Sequence, residues 1–182
     1  MKKYLLLLAA ISSLTSWSQH GDYPQNEVKM NFLNILIQAS VELGYERFVD
    51  FNQSIEGELL INDRVNYHTE KGARKFETSS LKIGYVYYFG TEHAGSGLYA
   101  NPFFKYRFGD FIDEVTVDDV KTTRTIDMNG FIIGMGAGYK WNGNDKFVFG
   151  PFFNVGRNFN DDSNDRFSAI EFNAGFSFGY RF

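Results

Sequence analysis

The chain has 182 residues, with 18 Lys and Arg against 22 Asp and Glu, three His and no Cys. A mildly acidic chain without a clustered basic face lacks the electrostatic footprint of a nucleic-acid binder. With no Cys there is neither a disulfide framework nor a cysteine to acylate.

The first residues, Met1-Lys2-Lys3, precede a mainly apolar run from Tyr4 to Leu14 and then Thr15-Ser16-Trp17-Ser18-Gln19. A basic start, a short apolar run and small residues at Ser16 and Ser18 read as a signal peptide, cut after Ser18. The run is about eleven residues, and a membrane-spanning helix needs about 20. The expected organisation is a signal peptide at 1–18, a polar leader at 19–27 and one domain at 28–182. Cleavage removes two Lys and no acid, taking the formal charge from −4 to −6.

Beyond the leader, apolar residues recur at every second position. Leu81, Ile83, Tyr85, Tyr87 and Phe89 fall on one face, with Lys82 and Gly84 on the other. The last segment puts Ile170, Phe172, Ala174, Phe176, Phe178, Tyr180 and Phe182 opposite Glu171, Asn173, Gly175, Ser177, Gly179 and Arg181. That period belongs to strands. The pattern predicts strands over 28–34, 40–49, 54–63, 79–89, 97–108, 125–141, 146–159 and 167–182. The fold class is therefore all-β, an up-and-down antiparallel β-barrel of about eight strands, the smallest membrane-spanning size.

The intervening connections are 5, 4, 15, 7, 16, 4 and 7 residues long. Both long ones, 64–78 and 109–124, are odd-numbered, as expected for long outer loops with both termini in the periplasm. Their Lys, Glu, Asp and Thr content predicts mobility.

Residue size decides which face meets lipid. The polar face combines glycines, among them Gly134, Gly136, Gly138, Gly156 and Gly175, with charges. Glycine weakens exposed strands but makes room in a narrow lumen. A soluble lipocalin-like carrier would have the opposite arrangement. Glu42, Glu46, Glu56, Glu58 and Glu171 are expected to face Lys82, Lys105, Arg107 and Arg181 inside the barrel, leaving little room for solutes. Aromatic residues at the periplasmic strand ends, including Tyr87, Phe89, Tyr139, Trp141, Phe147, Phe149, Tyr180 and Phe182, read as an interfacial girdle.

The ending Phe176-Ser177-Phe178-Gly179-Tyr180-Arg181-Phe182 resembles the terminal strand signal of outer-membrane barrels, which implies recognition by the barrel-assembly machinery. Lys29-Met30-Asn31-Phe32-Leu33-Asn34-Ile35-Leu36, followed by Val41-Glu42-Leu43-Gly44-Tyr45-Glu46-Arg47, resembles a porin-family-like group of small outer-membrane barrels of uncharacterised function. The overall pattern more loosely resembles the OmpA-transmembrane/OmpX group. These likenesses imply a fold and an outer-membrane location, and carry no site residues.

Other constellations are weaker. Gly134-Met135-Gly136-Ala137-Gly138 is followed by Tyr139-Lys140-Trp141 and a turn, not by the helix a phosphate loop needs. His68 with Glu70 and Ser79 or Ser80 is the arrangement to entertain for a rim hydrolase of lipid or peptide. Asp110, Asp113, Glu114, Asp118 and Asp119 cluster in one outer loop, and Asn160, Asp161, Asp162, Asn164 and Asp165 in another. Asn160, Asp162 and Asn164 with Glu171 echo a calcium-loop spacing, although Asp165 stands where that loop needs glycine. No residue is assigned a catalytic, metal or cofactor role, and no cofactor is expected. The expected partners are outer-membrane lipid and the assembly machinery, with no nucleic acid. The leading function is a structural or surface-interaction role through the outer loops; the alternatives are a narrow pore, the rim hydrolase and the soluble carrier.

Overall fold

The computed structural model describes residues 23–66, 74–90, 92–117, 120–144 and 146–182. The expected signal peptide lies outside them. Among the described residues there are nine strands: β1 (Asn26–Asn31), β2 (Val41–Asp50), β3 (Gln53–Ile61), β4 (Lys75–Tyr88), β5 (Gly97–Val117), β6 (Val120–Asp127), β7 (Gly130–Asn142), β8 (Phe147–Asn158) and β9 (Ile170–Arg181). Two short helices, α1 (Phe32–Gln38) and α2 (Asp161–Arg166), sit in connections.

Each wall strand pairs antiparallel with its sequence neighbour, β5 with both β4 and β7, and β1 closes the ring on β9. Eight strands thus make a closed up-and-down barrel. β6 pairs with the far half of β5 and is the ninth.

The faces are inverted relative to a soluble protein. Outward positions carry Leu43, Tyr45, Ile55, Leu81, Ile83, Phe104, Phe131, Met135, Phe153, Phe172 and Phe178, all exposed. Inward positions carry Glu27, Glu46, Glu56, Lys82, Lys105, Arg107, Lys140 and Arg181, all buried. An apolar band of this extent is stable against lipid, and closure of the ring pairs the wall strands with one another over most of their length. The expected girdle is present around the end that carries the N-terminal strand start and Phe182. There Tyr139 and Trp141 have ring centroids 4.9 Å apart, Trp141 and Phe149 5.5 Å, and Phe147 and Tyr180 5.4 Å.

Glycine makes room where lumen side chains cross. A Cβ on Gly134 would lie 2.3 Å from the Phe103 ring and 2.4 Å from the Val155 carbonyl oxygen.

Several expected boundaries are corrected. The first strand begins at Asn26, inside the polar leader, and stops at Asn31, where Asn31 becomes the N-cap of α1. Positions three apart fall on opposite faces of a strand but on one side of a helix. Asn31 caps α1 by accepting from the Leu33 and Asn34 amides, and the helix turns Asn34 inward while Phe32, Leu33 and Leu36 stay exposed. The connection at 35–39, expected as a loop, is therefore mostly helix.

The stretch 109–124, expected as a mobile loop, is a β-hairpin in which β5 continues to Val117 and β6 returns. Its charges mask a surviving alternation, with Phe111, Asp113 and Ile126 buried. The strand expected over 125–141 breaks at Met128-Asn129, where Gly109 (φ +117°) interrupts the neighbouring β5. The Met128 amide donates to the Gly109 carbonyl at 3.0 Å, and the Gly109 amide donates to Asn129 Oδ1 at 3.0 Å. Parity is kept across the break, so the sequence alone does not show it. β4 begins at Lys75, which shortens the connection before it. The connection after β8 contains α2, capped by Asn160.

Candidate functional site

The lumen is a stack of ion pairs assembled from every second residue of the wall. Nearest the end with the termini, Lys140 Nζ lies 2.8 Å from Glu27 Oε1 and 2.8 Å from Glu46 Oε2. Arg181 Nε donates to Glu27 Oε2 at 2.9 Å. Its Nη atoms donate to the Ala94 and Gly95 carbonyls at 2.7 and 2.5 Å, which draws that turn over the mouth. Glu46 Oε1 also accepts from Ser54 Oγ at 2.5 Å and the Tyr88 hydroxyl at 2.6 Å.

At mid-height Lys29 pairs with Glu56, and lies 3.4 Å from Glu46 and 3.7 Å from Glu58. Lys82 bridges Glu56 at 3.1 Å and Glu58 at 2.6 Å. Farther out, Arg107 takes Glu171 in a two-pronged contact at 2.5 and 2.7 Å and Asp63 at 2.9 Å. Lys105 lies 3.0 Å from Asp63 and 3.3 Å from Glu171. Such planar two-pronged contacts are the strong form of the Arg–carboxylate pair.

Apolar layers close both ends of this stack. Phe48, Val86, Tyr88 and Tyr99, with Tyr23 and Phe152, pack at the end with the termini. At the opposite end Val65, Phe76, Phe111, Ile126 and Met128 pack with Phe167. There the Phe76 and Phe111 rings are 4.6 Å apart and Phe111 and Phe167 5.1 Å. Above that layer Asp113 joins Arg74 at 2.6 Å to Arg166 of α2 at 3.1 Å. Between the charged layers the cavities measure about 20 and 30 Å³. Roughly 10–15 Å³ holds one water, so the barrel is packed rather than channelled.

All nine charges expected in the lumen are there and buried, except Glu58, which is partly exposed. Sequence reasoning missed Glu27, Lys29, Asp63 and Lys140. Lys140 shares parity with Gly134, Gly136 and Gly138, so the alternation already held that signal. A soluble carrier needs an apolar interior, and this one is charged.

His68 and Glu70, proposed for a rim hydrolase, lie outside the described residues, as do Asp118 and Asp119. Ser79 points to the outer face, while Ser80 is buried and donates to Asp63 Oδ2 at 2.5 Å. The two serines therefore cannot serve one site interchangeably.

The calcium-like residues have other employment. Asn160 accepts from the Ser163 amide at 2.8 Å, Asn164 Nδ2 donates to the Asn158 carbonyl at 3.2 Å, and Glu171 belongs to Arg107 and Lys105. Among the described residues no three His, Asp or Glu side chains converge as a metal site.

No protein-family model and no curated protein matches this chain. Among solved structures it is similar to Ail, the attachment invasion locus protein of Yersinia pestis, at 11% identity and a TM-score of 0.50. That match covers 88% of this chain and 99% of the other. It also matches the N-terminal β-barrel domain of Pseudomonas aeruginosa OprF at 16% identity and a TM-score of 0.46, covering 88% and 98%. The closed ring of eight strands, the inverted faces and the likeness to Ail together give this chain the fold of the small eight-stranded outer-membrane β-barrels.

Proposed function

We propose that this chain is an integral outer-membrane barrel that serves as a rigid anchor for an external interaction surface. The observation that carries the reading is the pairing of a packed lumen with a projecting hairpin. Ion pairs and two apolar layers fill the interior, which leaves structure rather than transport as its task. Meanwhile β5 and β6 extend beyond the last β5–β7 pair, Arg107↔Gly130, to the tip near Val117 and Val120. Binding commonly resides in such outer segments carried on a rigid scaffold.

In this reading Met1–Ser18 is removed on export, the C-terminal strand is the assembly signal, and both termini are periplasmic. The β5–β6 hairpin, α2 and the connection after β3 then face outward. Ail, named for attachment and invasion, shows the same scaffold in a protein with that name.

The test is an epitope tag inserted at residues 118–119, read together with a heated-versus-unheated gel shift on membrane fractions. The reading requires a compact unheated band and staining of intact cells. A chain found in the soluble periplasmic fraction without a shift, or a tag stained only after permeabilisation, overturns it.

A further inference from the structure

The projecting hairpin gathers more Arg on its inner side than its own carboxylate there can serve. In register, Asp113 of β5 faces Arg124 of β6. Arg74 stands one residue before Lys75, which pairs with Ile112, so it flanks Asp113 from the β4 side. Its Nε lies 2.6 Å from Asp113 Oδ1. From α2, Arg166 donates through Nη2 and Nε to Asp113 Oδ2 at 3.1 and 3.3 Å. Both oxygens of Asp113 are thus taken, and among the described residues no carboxylate pairs with Arg124. Asp113 is 6% exposed. The side chains of Arg74 and Arg166 are 37% and 34% exposed, and Arg124 is exposed as well.

The neighbouring acids do not make up the difference. Glu114 and Asp127 fall on the hairpin's other face by alternation. Asp161, Asp162 and Asp165 of α2 are exposed, and the carboxylate that Arg166 meets is Asp113. Beneath the Arg row the same strand faces carry Phe111 and Ile126, which belong to the apolar layer with Phe76 and Phe167. The Arg166 guanidinium lies 5.6 Å from the centre of the Phe167 ring. Apolar material on one side lowers the local dielectric and strengthens an ion pair made above it.

The strand that carries Arg124 also has a free side. β6 stands at the end of the strand order with β5 as its strand partner, and Thr122, Thr123 and Thr125 are exposed beside Arg124. Such an edge presents backbone N–H and C=O groups that another extended polypeptide can match in register. A guanidinium fork in turn fits a planar carboxylate, as the contact of Arg166 with Asp113 already shows. We infer that Arg124, with the open sides of Arg74 and Arg166, binds a carboxylate side chain of an extended acidic polypeptide lying along β6. A sulfated polysaccharide would meet the Arg groups but leave the strand edge unmatched. The site belongs to the external surface proposed above, and its use by an outside partner rests on that reading.

The micelle-refolded barrel is titrated into a fluorescein-labelled peptide of alternating Thr and Glu, and the anisotropy is read. A peptide of alternating Thr and Gln is the uncharged control. The site requires Arg124→Gln to weaken binding of the acidic peptide about tenfold, the loss of one charge-assisted contact, with the gel shift retained. Arg124 holds no carboxylate among the described residues, so its removal strands no charge there. Lys146→Gln, at the opposite end of the barrel beside the Arg181 amide, removes the same net charge and is expected to leave binding unchanged. Equal weakening by the two substitutions overturns the inference. Equal affinity of the parent for the two peptides overturns it too, with no substitution involved. Arg124-dependent binding of dextran sulfate without binding of the peptide assigns the site to a sulfated polysaccharide and also overturns it. These readings on purified protein are independent of which side of the membrane the hairpin faces, which the staining of intact cells decides separately.

Discussion

Arg107 shows how much rests on a single side chain in this lumen. It is fully buried and joins Asp63, just after β3, and Glu171 of β9. Its desolvation is offset only because both carboxylates and their other donors are in place. Removing one member of such a buried set leaves uncompensated charge, a loss of roughly 3–5 kcal/mol. Arg107→Met is expected to lower the unfolding free energy of the micelle-refolded barrel by that order, read from its urea unfolding midpoint and slope. A midpoint indistinguishable from the parent would show that water or relaxation already screens the pair.

Among the elements, α1 is the part most open to improvement. Its C-cap is Ala39 at φ +52°, a left-handed conformation that Cβ resists. The Ser40 amide nevertheless bonds back to the Asn34 carbonyl at 3.2 Å, so the geometry is used. Glycine adopts this conformation without the steric penalty. Ala39→Gly is expected to stabilise the barrel by about 0.5–1 kcal/mol in urea or thermal unfolding, after the extra unfolded-state entropy of glycine is counted. A lower midpoint would mean that α1 does not limit stability. α1 also marks where sequence reading ran short. A seven-residue helix inside a strand-rich chain has too few turns to display a period of its own. Its signature, Asn31 and Asn34 facing one way, becomes visible only when the lumen is known to be on that side. The β5–β6 hairpin was hidden for a different reason: charges such as Asp110, Asp113 and Glu114 resemble loop composition, although partners across the strands give them a register.

At the scale of the whole molecule, the stacked ion pairs, the apolar layers at both ends and cavities of about 20 and 30 Å³ fill the lumen among the described residues. Single-channel recording on the purified protein in planar bilayers is expected to show a closed baseline. Reproducible unitary steps would require one of the two apolar layers to open. Alternation settled the strand class and, together with the small and charged residues of one face against the bulky ones of the other, the inverted faces and most of the lumen charges, because in a closed wall the side-chain period is set by the backbone and each residue's side follows from its neighbour's. The girdle was legible for the same reason. What only the tertiary structure decided are the features that depend on partners distant in sequence. Glu42 meets Asn173 from 131 residues away, Lys140 meets Glu27 across 113, and β1 stops short beside a longer β9. Strand periodicity says which way a side chain points, but closure of the ring decides what it meets.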